Sequence, residues 1–268
     1  MDPQHGAVPT AREVVDADAG APDADRPDAR EGCTTPPCEG FHARFCGHVL
    51  DLETSQPITG EEATSLRVRF LWASKVAADP MAPADLVVTP DSDGRYCASD
   101  AEHDGVDVPY HEPLAAVVES AEASRPRTAT TVAVHWDAPD GDDVHVYSVR
   151  SATIGAWTAS SGLDLQPLGA LVTIYTSAAG PQPDVRVWGP AEDARPHDFY
   201  FSDDAPLERS HLVAEGPTGA DGSALYVGGG LAQYGGLGGL ADGCWRGAPL
   251  ASTVPALMWV AEVEATCY

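Results

Sequence analysis

The heptapeptide "LRVRFLW", residues 66–72, decides the class of fold. Leu66, Val68, Phe70 and Trp72 point one way, while Arg67 and Arg69 point the other. That two-residue period belongs to a half-buried β-strand, because successive side chains of an extended chain leave on opposite faces. "TVAVHW" (131–136) repeats it with Val132, Val134 and Trp136, and "DFYF" (198–201) with Phe199 and Phe201. Further strands are expected at "DLVVT" (85–89), "GRYCA" (94–98), "AAVVE" (115–119), "DVHVYS" (143–148) and "GALVTIYT" (169–176). Three more follow at "DVRVW" (184–188), "SALYV" (223–227) and "LMWVAEVEA" (257–265). Turn residues recur at roughly 8- to 12-residue intervals, which favours a sandwich or barrel over an α/β fold.

One segment departs from the alternation. "SVRSATIGAWTASSGL" (148–163) is expected to form a short helix, with Ser151 as N-cap and Gly162 just past its end. It lies between two strand-rich halves and reads as their connector. "PLAAVVESAEAS" (113–124) suits either helix or strand, and the β-branched pair Val117–Val118 tips it to strand. The glycine-rich "GGGLAQYGGLGGLADG" (228–243) is expected to be a long mobile loop.

The chain has 268 residues, a net charge of -26 and 43 % apolar residues. It can therefore build a core, and it is too acidic to hold a nucleic-acid backbone. Lys75 is the sole lysine and asparagine is absent, which points to a GC-rich bacterial gene and removes any N-glycosylation acceptor. No apolar run is long enough to span a membrane. Residues 1–32, with "DADAGAPDADRPDAREG" at 16–32, are too poor in apolar side chains to offset their ordering entropy and read as a disordered acidic tether. The opening residues have neither a basic nor an apolar signal region, so an exported protein would have lost its signal upstream.

"CGHVLDLETSQPITG" (46–60), followed by "TPDSDGRY" (89–96), resembles the carboxypeptidase regulatory-like domain, a transthyretin-like (Ig-like) β-sandwich. Gly47, Val49, Asp51, Thr54, Pro57, Ile58 and Gly60 carry the first part of its pattern; Thr89, Asp93, Gly94 and Tyr96 carry the second. The insertion "EEATS" (61–65) departs from it. "GALVTIYTSAAGPQPDVRVWG" (169–189) with "TGADGSALYV" (218–227) reads as a degenerate second copy. Asp93–Gly94 and Asp221–Gly222 would each form the tight turn before a strand. The resemblance implies an all-β protein: a disordered acidic tether with a cysteine loop over 1–43, a sandwich over 44–148, a helical connector over 149–164 and a second sandwich over 165–268. It also implies a non-catalytic spacer, adhesion or accessory module that needs no cofactor. Its partner would be a cell-surface glycan or protein, met outside the cell or on the envelope, where a lipid anchor is compatible with the sequence.

Six cysteines, Cys33, Cys38, Cys46, Cys97, Cys244 and Cys267, suit an exported protein. Early and late strands of a sandwich can lie side by side, which favours a Cys46–Cys97 bridge. Cys33 and Cys38 would then close the Pro-Pro loop, and Cys244 and Cys267 would staple the C-terminal strand. The alternative is a zinc site of Cys33, Cys38, His42 and Cys46, leaving Cys97 free. His135 and His145, on the arms of an acidic hairpin, could supply half of another metal site. An enzyme related to intradiol dioxygenases would use Tyr110 and His197, yet Phe199 stands where its second histidine belongs. Trp188 and Trp245 are the two tryptophans placed for surface binding, for example by stacking on sugars. Three disulfides predict that the denatured, unreduced protein shows essentially no thiol reactive to a chromogenic disulfide reagent; one free thiol, with more released by chelation, would establish the zinc arrangement instead.

Overall fold

The computed structural model describes residues 41–109, 112–132, 134, 140–177, 180–188, 197–202, 209–238 and 245–264, which belong to one compact unit. In chain order the first elements are β1 (Phe41–Asp51), α1 (Gly60–Thr64), β2 (Leu66–Trp72), α2 (Ala73–Ala78), β3 (Leu86–Val88), β4 (Arg95–Cys97) and β5 (Val106–Val108). Then come β6 (Leu114–Ser120), β7 (Thr128–Val132), β8 (Asp140–Gly141), β9 (Val146–Ser148), α3 (Ser151–Ser161) and α4 (Leu165–Leu168). The chain continues with β10 (Ala170–Ser177), β11 (Gly180–Pro181), β12 (Val185–Trp188), β13 (His197–Phe201) and β14 (Leu212–Val213). It closes with β15 (Ser223–Val227), β16 (Ala232–Gly238), β17 (Trp245–Ala251) and β18 (Met258–Glu264).

Among the described residues the strands form three sheets. A ten-stranded central sheet runs β14-β13-β15-β10-β18-β7-β6-β2-β3, with β11 paired to β10. β18 lies between β10 and β7 and is parallel to both: Ala170 faces Met258 on one side and Thr128 faces Met258 on the other. The remaining pairings of this sheet are antiparallel. A five-stranded sheet is built on β1, with β4 and β5 antiparallel to it and β8 and β9 parallel. The third sheet has the order β12-β16-β17.

Both faces of the central sheet are buried, and the alternation within each strand sorts its side chains between them. Leu71, Val117, Ala129, Leu171, Tyr226, Trp259 and Ala261 pack on one face against Val185, Val187, Tyr234 and Ala251 of the β12–β16–β17 sheet. On the other face, Val68, Phe70, Ala116 and Val118 meet Phe45, Val49, Tyr96 and Val146 of the β1 sheet. Farther along, Val172, Leu225, Phe199, Phe201 and Val260 meet Ile154, Trp157 and Leu165 of the helices. A sheet covered on both sides reads as nearly continuous apolar runs, which explains "LAAVVES" and "GALVTIYT".

Several expectations change accordingly. The chain is mostly β, as expected, but it does not divide at 149–164: β2, β6 and β7 share one sheet with β10, β13, β15 and β18. α3 is a cover for that sheet, with Trp157 fully buried. Its N-cap is Arg150, one residue before Ser151, and Gly162 ends it at φ 72°. Arg69, expected to face solvent, is buried; it donates to Glu119 at 2.6 Å and to the carbonyls of Pro80 and Ala82, clamping the loop after α2. The strand expected at 131–136 lies earlier, at 128–132, because Thr128–Val132 pairs with both β6 and β18. Glycine-rich 232–238 is a strand, not a loop. A Cβ at Gly236 would sit 2.4 Å from Val185 Cγ1 and 2.9 Å from Tyr175 Cε1, so only glycine lets β16 lie this close to the core.

Trp259 is fully buried and donates its indole N–H to Thr131 Oγ1 at 2.7 Å, joining β18 to β7 side chain to side chain. Trp259→Ala is expected to cost about 3–5 kcal/mol in urea unfolding, the range for emptying a large core site; a loss below about 1 kcal/mol would show that β18 is not what closes the sheet.

Candidate functional site

The residues of the quoted motif build one junction around β1. Gly47 faces the backbone of Val144 so closely that a Cβ would lie 1.7 Å from its carbonyl oxygen. The amide of Val144 in turn donates to the Cys46 carbonyl at 3.0 Å. Asp51, buried at the end of β1, accepts from the amides of Glu53 and Thr54 at 3.2 and 3.3 Å and closes the following turn. Gly94 has φ 79° and abuts the Ile58 carbonyl, and the Tyr96 hydroxyl donates to the Val144 carbonyl at 2.7 Å. Burial pushes the Tyr96 phenol far above its usual range. Asp91, not singled out by the sequence, holds the Asp93–Gly94 turn by accepting from the amides of Asp93 and Arg95 at 2.9 and 3.0 Å.

Two buried arginines hold this junction from different parts of the chain, joined by the exposed Arg150. Arg125, buried, donates to Asp51 at 2.7 Å and to Glu62 at 2.5 Å, while Arg150 reaches Asp51 at 3.1 Å. Arg209, also buried, donates to the Leu52 carbonyl and to Ser55 Oγ at 3.1 Å. The same guanidinium meets Ser223 Oγ at 2.7 Å and Asp221 at 3.2 Å. The Asp221–Gly222 turn is thus an anchor as well as a turn, and Gly222 (φ 67°) sits where a Cβ would meet the Tyr175 carbonyl at 2.6 Å. Neither arginine is marked in the sequence, because "SRPRT" and "LERSH" have the look of exposed turns.

Cys46 and Cys97 face each other in the β1–β4 register and form a disulfide. This pairing removes Cys46 from the zinc alternative, since a bridged sulfur is no thiolate ligand. Cys33, Cys38, Cys244 and Cys267 lie outside the described residues. The disulfide separates two shallow clefts. One, about 460 Å³, is lined by Arg44, Phe45, Ser99, Gly141 and Asp142; the other, about 370 Å³, by Val87, Val88, Asp91, Arg95, Ser99 and Asp100. Both have the volume of small-ligand pockets, but they are shallow and lined about as much by polar as by apolar surface.

The sheet β12–β16–β17 carries the other candidate surface. Trp188 lies opposite Gly235, and Trp245 opposite Leu237, which is itself opposite Arg186. Val185 and Val187, alternating with Arg186 and Trp188, are buried, whereas Arg186 is exposed. In register, Trp188 and Trp245 are both in step with Arg186, at positions on the two edge strands of the sheet.

Other expected residues are dispersed. His42 is part of β1, its Nδ1 3.2 Å from Asp107 and its Nε2 3.0 Å from the Asp104 carbonyl. His135 and Tyr110 fall outside the described residues; His145 neighbours His48 instead, at 6.2 Å between ring centroids. His197 opens β13 opposite Val227, and Phe199 is buried in the core. Among the described residues no group of three or more His, Cys, Asp and Glu is placed to hold a metal ion. No described helix is long and apolar enough to cross a membrane.

No family model matches the chain. No curated protein matches it either. Solved structures with some likeness include the Bacillus anthracis TIE protein, 10 % identical at a TM-score of 0.25, covering 84 % of this chain and 34 % of that one. The shaft pilin SpaA from Lactobacillus rhamnosus GG is 8 % identical at a TM-score of 0.22, covering 85 % of this chain and 99 % of its own. A Streptococcal ancillary pilin is 9 % identical at a TM-score of 0.24, covering 85 % and 63 %. The chain thus spans about a third of the first of these proteins, and scores this low assign neither fold nor function.

The His42 contacts predict a pH dependence. The hydrogen bonds that His42 makes to the Asp107 carboxylate and to the Asp104 carbonyl raise its pKa above the ordinary histidine value. A raised pKa adds stability that is fully present below the unfolded value and is lost as pH rises through the folded one. With the side chain half exposed, the effect is small. The stability gap between the protein and His42→Gln is expected to be widest below about pH 6.5 and to shrink above it; a gap that widens with rising pH in urea unfolding at several pH values would refute this.

Proposed function

We propose that the chain is a non-catalytic, exported recognition module that binds a cell-surface glycan or protein across the outer face of the β12–β16–β17 sheet. The observation that carries this reading is the register, which sets the Trp188 and Trp245 positions in step with exposed Arg186 on the two edge strands of one sheet. Strands lie about 4.8 Å apart and rise about 3.4 Å per residue, so the two tryptophan positions are separated by roughly 12 Å, the reach of two or three sugar rings. Indole faces suit sugar rings. The net charge of -26 disfavours polyanionic glycans, so neutral or amino sugars are the class to try.

Export is supported by the Cys46–Cys97 disulfide, since such bonds persist in oxidising compartments. The structural duties of Gly47, Asp51, Gly94 and Tyr96 support a carboxypeptidase regulatory-like origin for the first half. A non-catalytic role is favoured over an iron enzyme because Phe199 is committed to the core. The described tyrosines Tyr175 and Tyr226 are committed too: they hydrogen-bond to each other at 2.9 Å, with burial raising both pKa values.

A glycan array carrying neutral, amino and anionic sugars tests the reading. Binding to a neutral or amino-sugar class is expected, with Trp188→Ala and Trp245→Ala each weakening it about tenfold or more. Binding that both variants leave intact would move the site elsewhere, and no binding at all would favour a spacer.

A further inference from the structure

His48 and His145 form a pair that the recognition surface does not use. β1 and β9 run parallel with Val49 opposite Val146, and the same register extended by one residue sets His48 beside His145. Their ring centroids are 6.2 Å apart and the rings are inclined by 50°. Both residues are half-buried, and the Nδ1 atom of His145 is shielded from solvent with no hydrogen-bond partner. A shielded imidazole nitrogen without a partner is costly and calls for an explanation.

We propose that His48 and His145 are the two protein ligands of a site for a borderline divalent transition-metal ion, Zn²⁺, Ni²⁺ or Cu²⁺, with water completing the coordination sphere. Imidazole nitrogen binds such ions at about 2.0–2.1 Å, which at a tetrahedral angle places the two ring centroids roughly 5 Å apart. The observed 6.2 Å is about 1 Å wider, a gap that a modest rotation of either side chain closes. Neutral imidazole is also the ligand these ions prefer, whereas Ca²⁺ and Mg²⁺ require oxygen. On the other side of β1, Arg95 stands opposite His48, and its charge is paired with Asp142 at 3.5 Å. The ion would clip the segment leading into β9 onto β1, the strand on which the five-stranded sheet is built.

Calorimetric titration of the full chain, first freed of metal by chelation, tests the site with Zn²⁺, Ni²⁺ and Mg²⁺ as separate probes. The expected result is a Zn²⁺- and Ni²⁺-binding event that Mg²⁺ does not reproduce, weakened tenfold or more in His48→Gln and in His145→Gln. Nine histidines are available to bind metal, so a second readout locates the ion: paramagnetic Ni²⁺ should first broaden the imidazole resonances of His48 and His145. Saturating Zn²⁺ should also raise Tm by a few degrees in the unaltered protein and not in either variant. Unchanged binding in variants with native circular dichroism, or broadening confined to other histidines, overturns the proposal, as does no Zn²⁺ or Ni²⁺ binding at all. Glycan binding is measured separately with Trp188→Ala and Trp245→Ala, so the two readings fail independently.

Discussion

Insertion of β18 between β7 and β10 is the constraint on which the rest of the molecule depends. Seven residue pairs join β18 to β10, from Ala170–Met258 to Thr176–Glu264, and four join it to β7. Without that strand the central sheet would be two sheets with two exposed edges, each a template for aberrant pairing. Because both pairings are parallel, neither can be made by a local hairpin, and each waits on long-range closure of the chain. Burial of both sheet faces then follows, since one continuous sheet can hold three separate covers.

The polar groups of the interior serve the same closure. The turn after β1 is held by Arg125 and Arg150 from before and within the helical region, and by Arg209 from well beyond it. Buried guanidinium groups are expensive to desolvate, and each here meets a carboxylate and at least one carbonyl or hydroxyl. What they add is orientation: the Asp51–Ser55 turn is fixed against the β6–β7 connection by Arg125 and against β15 by Arg209.

Much of the first half was legible in advance. Gly47, Asp51, Gly94 and Tyr96 stand in a short motif whose demands are local: a close backbone approach, a capped turn, a positive φ and a buried hydroxyl. The Cys46–Cys97 bridge was legible for the same reason, since it joins strands that the motif itself places. Arg69 was misread because alternation says which residues share a face and is silent on whether a loop will cover that face. The glycine-rich 232–238 strand was misread as a loop because glycine's low strand propensity dominates until a neighbouring core, Val185 and Tyr175, requires its missing side chain. His48 carried no signal at all; its neighbour lies almost a hundred positions away in the chain.

Period-two alternation, turn residues and the cysteine count by themselves determined that this is a strand-built protein with a bridged first strand. They did so because side-chain alternation, positive φ and turn capping are properties of a few consecutive residues. Only the tertiary structure decided that the halves share one sheet, that α3 is a cover, and that His48 and His145 come to lie together. Those outcomes depend on which strands pair and in what register, and no local pattern encodes the meeting of residue 131 with residue 261.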